Sequence, residues 1–215
     1  MCWTRDSPSY PPNKPENKYS LVFPQEGQII DTTRLSFYKD EIVELSAVKV
    51  IDNKVDSTFS YLVKPLNKIP YLVTKVHGIT NAMVKDKKLI EQLLPNFLEF
   101  IDNNILIAHN ANFDLSFLQR DILINLNKKF TPKYVDTVPL ARKCLNLPRY
   151  NLKTIAEFYN IDTYGNHRGL KDCMILYECF EKLNKYNKTQ IYEFEFKTKK
   201  ENIDPSLLKV QTKLF

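Results

Sequence analysis

The chain has 215 residues, 43% of them hydrophobic, which suffices for one substantial core plus terminal segments. A net charge of +6 at pH 7 favours a polyanionic partner, although solvated surface lysines alone can produce such a balance. Without a membrane-spanning apolar run, a signal-peptide core or a CxxC pair, the sequence argues against a membrane protein, a secreted protein and a structural zinc site. We therefore expect a cytoplasmic protein with reduced thiols and no membrane partner.

The N-terminal segment is predicted to be a disordered lead-in over residues 1–18, because four prolines and no hydrophobic periodicity occur there. Tyr19 to Phe23 is a candidate strand, which Pro24 and Gly27 are expected to stop. Gln28 to Thr33 is a second strand-like segment.

A β-hairpin is predicted next, with a strand from Ile42 to Val50 and a partner strand from Val55 to Val63 across a turn at residues 52–54. Period-2 alternation divides the apolar side chains of the first strand between two faces. One face carries Val43, Leu45 and Ala47, and the other carries Ile42, Val48 and Val50.

The later elements alternate between helices and strands. The spacing predicts a helix over 88–101, bent or shortened by Pro95, then a strand from Ile105 and a helix from Phe113 to near Leu126. A strand from Lys133 to Asp136 and a helix from Thr137 to Leu145 follow. The last two predicted helices are one capped by Asn151 and one from Gly169 to Leu183. Clustered strands followed by strand–helix alternation indicate an α/β fold with a mixed sheet flanked by helices. The domain is assigned to residues 19–185, and residues 186–215 are predicted to form a tail outside the core.

Three side chains stand out as candidates for chemistry. Asp114 lies at a strand-to-helix junction, where it is either a helix-end acid favoured by the helix dipole or a carboxylate that reaches a cleft. His167 lies on a glycine-containing loop, and Asp172 follows on the next helix. A histidine beside a helix-borne acid suits a general base near a metal held by that acid, and magnesium or manganese would take carboxylate ligands.

Two segments carry a family resemblance: Ala108-His109-Asn110-Ala111-Asn112-Phe113-Asp114 and His167-Arg168-Gly169-Leu170-Lys171-Asp172. They resemble the second and third motifs of the DEDDh family of 3′–5′ exonucleases, which includes proofreading subunits and domains of bacterial replicative DNA polymerases. Supporting matches occur in the family's order at 42–48, 76–80, 135–137 and 140–142, so the resemblance covers roughly residues 19–183. It implies a ribonuclease-H-like five-stranded mixed sheet and metal-dependent removal of nucleotides from a 3′ end.

The resemblance also implies roles for individual residues. Asp31, Asp114 and Asp172 would hold two divalent ions, Mg²⁺ or Mn²⁺, and His167 would deprotonate the attacking water. Thr32, Thr33, Leu35 and Asn110 would contact the substrate. His109 would be a packing residue near the site, and Asp136 a helix cap rather than a ligand.

The first motif departs from the family pattern Asp-x-Glu-Thr-Thr-Gly. In the best register, Asp31 replaces the glutamate, Ile29 replaces the aspartate, and Arg34 replaces the glycine. A second register keeps Glu26 as the glutamate and puts Pro24 at the aspartate. Three explanations stay open: a weakened or inactive enzyme, another acid such as Glu26 that fills the gap, or an altered N-terminal sequence.

The chain ends in Gln211-Thr212-Lys213-Leu214-Phe215, which resembles the Gln-x-x-Leu-Phe peptide that bacterial replication proteins insert into the sliding clamp. Gln211 would supply directional hydrogen bonds, while Leu214 and Phe215 would fill an apolar pocket. The alternative is a frayed end with two apolar residues.

The leading hypothesis is a 3′–5′ DNA exonuclease for replication proofreading or repair, with a replicative polymerase and the clamp as partners. A second hypothesis is a catalytically weak or inactive exonuclease-fold module that binds nucleic acid or tethers a partner to the clamp. A third is an RNA-trimming enzyme of the same superfamily.

Overall fold

A computed structural model describes the backbone of residues 18–27 and the complete residues 41–164 and 168–195. The strands in these ranges are β1 (Lys18–Gly27), β2 (Glu41–Ile51), β3 (Lys54–Leu62), β4 (Ile105–Ala108), β5 (Lys133–Asp136) and β6 (Tyr192–Glu193). The helices are α1 (Tyr71–His77), α2 (Asn81–Val84), α3 (Ile90–Ile101), α4 (Ala111–Leu126), α5 (Thr137–Cys144), α6 (Leu152–Phe158) and α7 (Gly169–Asn184). Residues 1–17 of the predicted lead-in, the Gln28–Thr33 segment and the terminal pentapeptide lie outside the described residues, whereas Lys18 is the first residue of β1.

The sheet has the order β3-β2-β1-β4-β5-β6 over the described strands. β1 pairs with β2 antiparallel and with β4 parallel, and β4 pairs with β5 parallel. The carboxyl ends of β1, β4 and β5 therefore lie at one edge of the sheet, together with the amino end of β2. The predicted mixed sheet is confirmed, but the described strands number six instead of five, because β6 adds a strand beside β5.

Helices cover both faces of the sheet. Leu45 and Leu106 join the cluster formed with α3 and α4, whereas Val48 and Ile107 join the cluster formed with α5, α6 and α7. Alternating side chains of one strand therefore pack into two separate hydrophobic cores, which explains why β2 and β4 are apolar on both faces.

The predicted alternation in β2 is confirmed for Leu45, Ala47, Val48 and Val50, but it is wrong for Ile42. Val43, expected on the face of Leu45 and Ala47, packs in a third cluster. Ile42 packs in the same cluster as Leu45, although their positions differ by three, an odd number that places side chains of a regular strand on opposite faces. The β1–β2 register shifts at this point, so that Gln25 pairs with Glu44 and Glu26 pairs with Ile42. A bulge of this kind adds one residue to a strand and reverses the faces beyond it.

β1 corrects another expectation, because it continues through Pro24 to Gly27 instead of stopping after Phe23. Its pairing with β4 covers only Tyr19 to Leu21, whereas its pairing with β2 extends to Gly27. At Pro24, β1 thus pairs with only one of the described strands, a setting in which a strand tolerates a residue without an N–H group.

The helix predictions are confirmed for α4, α5 and α7 within one or two residues, and β5 has the predicted bounds. Asn151 caps α6, since its side-chain oxygen accepts the Thr154 N–H at 2.8 Å. Pro95 lies inside α3 without breaking it; this helix runs for 12 residues from Ile90.

The C-terminal side of the domain differs from the prediction. Tyr192–Glu193 pairs antiparallel with β5, and Phe194 is buried in the core formed with α3 and α4. The ordered sheet therefore extends past Lys185, because an aromatic side chain from the expected tail fills a site beside Tyr134. No helix in the described part of the chain is long and apolar enough to cross a membrane.

Candidate active site

The junction between β4 and α4 places Asp114 at the sheet edge. β4 ends at Ala108, and α4 begins at Ala111 after Asn110, which adopts the left-handed conformation with φ 64°. Asn is among the few residues that tolerate this conformation. Asp114 lies in the first turn of α4 and is only 6% exposed, so its carboxylate is directed inward rather than into bulk water.

Asp136 fixes this junction from the neighbouring strand. Its Oδ1 accepts the N–H groups of Asn110 (3.1 Å) and Val138 (2.9 Å), and its Oδ2 accepts that of Ala111 (3.1 Å). A single carboxylate therefore caps α5 and also holds the start of α4. The prediction that Asp136 is a helix cap is confirmed, and the structure adds its second role.

His109 is held in the same network. Its Nδ1 lies 2.9 Å from Thr137 Oγ1, and that hydroxyl donates to the Ala108 carbonyl at 3.2 Å. Burial lowers the pKa of His109, although the charge of Asp136 and the Tyr150 carbonyl oppose this shift. These contacts agree with the expected packing role.

The start of α7 places Asp172 at the edge where β2 begins. Asp172 lies in the first turn and is 6% exposed. The Gly169 N–H donates to Glu44 Oε2 at 3.0 Å, and the Arg168 guanidinium lies 3.4 Å from both oxygens of the same carboxylate. Glu44 thus attaches the start of α7 to the sheet. In the sequence, Glu44 had no assigned role beyond the family match at 42–48, and a charged residue inside an apolar strand was the available signal.

The electrostatics of Asp114 are those of a buried acid. Burial raises its pKa well above the usual range, and the negative charge of Asp136 acts in the same direction. None of the described residues donates a hydrogen bond to the Asp114 carboxylate. A nearby cation would therefore stabilise its ionised form strongly.

The structure brings two of the predicted ligands, Asp114 and Asp172, to the same edge of the sheet, each in the first turn of a helix. The predicted ligand Asp31 and the predicted base His167 lie outside the described residues, as do Thr32, Thr33, Leu35, Gln211, Leu214 and Phe215. Asn110 is exposed at the α4 start. Within residues 41–164 and 168–195, no three or more acidic, histidine or cysteine side chains are grouped so as to hold a metal ion.

Comparison with known proteins gives one family. The exonuclease family model of the RNase T type matches residues 30–180. DNA polymerase III subunit epsilon from Aquifex aeolicus is 38% identical over 155 residues, which cover 72% of this chain and 77% of the relative. The PolC-type DNA polymerase III of Caldanaerobacter subterraneus subsp. tengcongensis is 41% identical over 72% of this chain, but the chain spans only 11% of that relative.

Solved structures show the same fold. Exonuclease X in complex with 5′ overhanging duplex DNA has a TM-score of 0.60 and 24% identity, covering 78% of this chain and 92% of that one. The nuclease domain of 3′hExo, a DEDDh family member bound to rAMP, has a TM-score of 0.68 and 15% identity, covering 85% and 98%. The predicted ribonuclease-H-like fold is confirmed.

Proposed function

This chain belongs to the RNase T family of exonucleases, and we propose that it removes nucleotides from the 3′ ends of DNA in replication proofreading or repair. The observation that carries the proposal is the pair of buried carboxylates, Asp114 and Asp172, at one edge of the sheet and inside the matched segment. The net charge of +6 supports a polyanionic substrate. The names of the epsilon and PolC relatives support DNA and a replicative polymerase as partner.

The family uses divalent metal ions, and the carboxylates of Asp114 and Asp172 are suitable ligands for such ions. Both supply the oxygen donors that Mg²⁺ and Mn²⁺ prefer, and both are shielded from bulk water. Asp114 also receives no hydrogen bond from a described residue, so its oxygens are available. We propose that Asp114, Asp172 and Asp31 hold two such ions.

The roles of the protein groups follow from this placement. Two bound divalent ions would stabilise the charge on the attacking and leaving oxygens of the scissile phosphate. His167, two residues before α7, would accept the proton of the attacking water. Thr32, Thr33, Leu35 and Asn110 would position the terminal nucleotide. Asp136 and His109 would keep Asp114 in place without contacting the substrate.

The first motif limits the expected rate. Ile29 stands where the family has an aspartate, and an isoleucine has no ligand atom. The family match begins at residue 30, which includes Asp31 and leaves out Glu26, and this supports Asp31 as the surviving acid. We expect a higher metal requirement and a slower reaction than an intact first motif would produce, with Glu26 as the alternative ligand.

Two other functions each have one observation in their favour. The isoleucine at position 29 favours a nucleic-acid-binding or clamp-tethering module without activity. The likeness to the nuclease domain of 3′hExo bound to rAMP favours an RNA-trimming enzyme. The assay must therefore offer RNA as well as DNA.

The test is hydrolysis of 5′-labelled oligonucleotides by the full chain, with Mn²⁺ and Mg²⁺ in turn. Single-stranded DNA, 3′-recessed duplex DNA and single-stranded RNA of the same sequence are compared. We expect stepwise shortening of DNA with Mn²⁺, and loss of this activity in Asp114→Ala and His167→Ala. Asn151→Ala, which removes only the α6 cap, is the matched control. An inactive wild-type chain on every substrate would favour the binding module, and faster shortening of RNA would favour the third function.

The terminal pentapeptide needs its own measurement. We propose that Gln211, Leu214 and Phe215 bind the bacterial sliding clamp, as expected for a short apolar peptide that enters a pocket. Deleting residues 211–215 should weaken binding of the full chain to a purified clamp, measured by surface plasmon resonance. Unchanged affinity would remove the clamp from the list of partners.

A further inference from the structure

Helix α7 is capped by a strand rather than by its own sequence. Its N-cap residue, Arg168, makes no side-chain cap hydrogen bond. The Gly169 N–H instead donates to Glu44 Oε2 at 3.0 Å. Glu44 is 3% exposed, and its negative charge lies at the positive end of the 16-residue helix. A carboxylate near the amino end of β2 therefore fixes the position where α7 starts.

The contact between the helix and the strand is also unusually close. A Cβ atom on Gly169 would lie 2.6 Å from Ser46 Oγ, 2.9 Å from Ser46 Cβ and 3.4 Å from the Glu44 carboxyl carbon. The Ser46 hydroxyl lies 2.9 Å from Ser60 Oγ on β3, which restrains its rotation away from the helix. Only glycine lets the backbone of α7 approach β2 this closely. Glu44, Ser46 and Gly169 together are called the α7 clamp below.

Along the sequence, Gly169 of the clamp stands between two proposed functional residues. Gly169 is two residues after His167 and three residues before Asp172. The first intrahelical hydrogen bond runs from the Asp172 N–H to the Arg168 carbonyl at 2.9 Å. A shift or rotation of the helix start would therefore move the Asp172 carboxylate directly, because that residue lies within one turn of the clamp.

We propose that Glu44 is a positioning residue for the exonuclease reaction, because it fixes the axial position and rotation of α7 and thereby the placement of Asp172. This inference rests on the proposed function, and it concerns residues outside the predicted set of ligands and base. Glu44 does not contact the reacting atoms in this role. Its effect is transmitted through the Gly169 N–H and the close packing against Ser46.

The first experiment separates positioning from general stabilisation. Steady-state hydrolysis of a 5′-labelled DNA oligonucleotide by the full chain with Mn²⁺ is measured for Glu44→Ala and Glu44→Gln. Since a misplacement of about 1 Å costs about 100-fold in rate, Glu44→Ala should lower kcat about 100-fold while KM for the oligonucleotide changes less than about threefold. Glu44→Gln should recover most of this loss, because its amide oxygen still accepts the Gly169 N–H.

Ser60→Ala is the matched control for this experiment. It removes the hydroxyl partner of Ser46 on β3 and leaves the Glu44–Gly169 hydrogen bond in place, so it should keep kcat within about threefold. Circular dichroism at the assay temperature establishes that each variant is folded. A folded Glu44→Ala with wild-type kcat, or a loss that appears only in KM, would overturn the positioning role.

A second set of variants tests the close approach independently. Gly169→Ala should lower kcat because its new methyl group meets Ser46, and Ser46→Gly should restore activity in the double variant by removing both contacting atoms. Ser46→Ala should restore it only in part, since the Cβ at 2.9 Å stays. Equal losses in Gly169→Ala and in the Gly169→Ala/Ser46→Gly double variant would contradict the clamp.

The two levels of failure are distinguishable. A wild-type chain without activity on DNA and RNA would overturn the proposed function and the positioning role together. An active wild-type chain whose Glu44 and Gly169 variants keep full activity would overturn the positioning role alone.

Discussion

Replacing Asp136 by alanine should destabilise the domain more than removal of an ordinary helix cap. The carboxylate accepts three backbone N–H groups, from Asn110, Ala111 and Val138. These donors belong to the starts of two different helices, α4 and α5. Asp136→Ala would leave all three without this acceptor at once, and it would release the junction that carries Asp114.

The magnitude follows from these contacts. A single N-cap bond contributes about 1 kcal/mol, and hydrogen bonds to a charged acceptor contribute about 1.5–3 kcal/mol each when buried. Asn110 is exposed, so that water replaces part of the loss there. We therefore expect Asp136→Ala to lower the free energy of unfolding by about 2–4 kcal/mol. At 2–4 °C per kcal/mol for a domain of this size, Tm should fall by roughly 4–16 °C.

The assay is thermal and urea unfolding followed by circular dichroism, with Asn151→Ala as the single-cap reference. Asn151 accepts one N–H group, from Thr154, so its replacement should cost about 1 kcal/mol. The loss of stability in Asp136→Asn should lie between those of Asn151→Ala and Asp136→Ala, because an amide offers one acceptor oxygen and turns its NH₂ group toward the remaining N–H. If Asp136→Ala lowers Tm no more than Asn151→Ala, the assigned bridge between the two helices is wrong.

Three further predictions address the buried groups. Because the pKa of Asp114 is raised in the folded state, its contribution to stability is present below its unfolded pKa and lost as the pH rises through the folded pKa. Metal-free Asp114→Asn should therefore have a higher Tm than wild type at neutral pH, and the difference should disappear in acid. A lower Tm at every pH would contradict this. Phe194→Ala should lower the free energy of unfolding, measured with urea, by about 3 kcal/mol, because Phe194 is buried. Ile191→Ala, at an exposed position, should change it by no more than about 0.5 kcal/mol. Equal effects would exclude Phe194 from the core. Burial raises the pKa of Cys179 to about 12, whereas Cys144 is partly exposed. Iodoacetamide at pH 8 should therefore label Cys144 before Cys179 in the native protein, as measured by mass spectrometry. Labelling in the opposite order would refute the burial argument.

Helix and strand positions were predictable where hydrophobic spacing was regular and turn residues were strong. β5 has the predicted bounds, and α7 exceeds its prediction by one residue, to Asn184. The Asn151 cap was also predictable, because an N-cap acts through its own local hydrogen bond. These elements share one property: the information that defines them lies within a few residues along the chain.

Strand pairing was less predictable. Pro24 was expected to stop β1, and only the one-sided pairing beyond Leu21 explains why the strand continues. Ile42 was assigned to the wrong face because the bulge depends on the partner strand. β6 is two residues long, too short for its alternation to mark it as part of the sheet.

For the candidate site, the sequence by itself determined which residues were candidates for the proposed chemistry. Asp114 and Asp172 occur in ordered motifs whose residue types suit the proposed reaction, and that information is local. Only the tertiary structure decided how those acids are held. Asp136 joins the starts of α4 and α5, and Glu44 attaches α7 to β2 across 125 residues of chain. Such contacts join a side-chain carboxylate to backbone N–H groups of other elements, and residue types alone do not indicate which N–H groups will lie beside it.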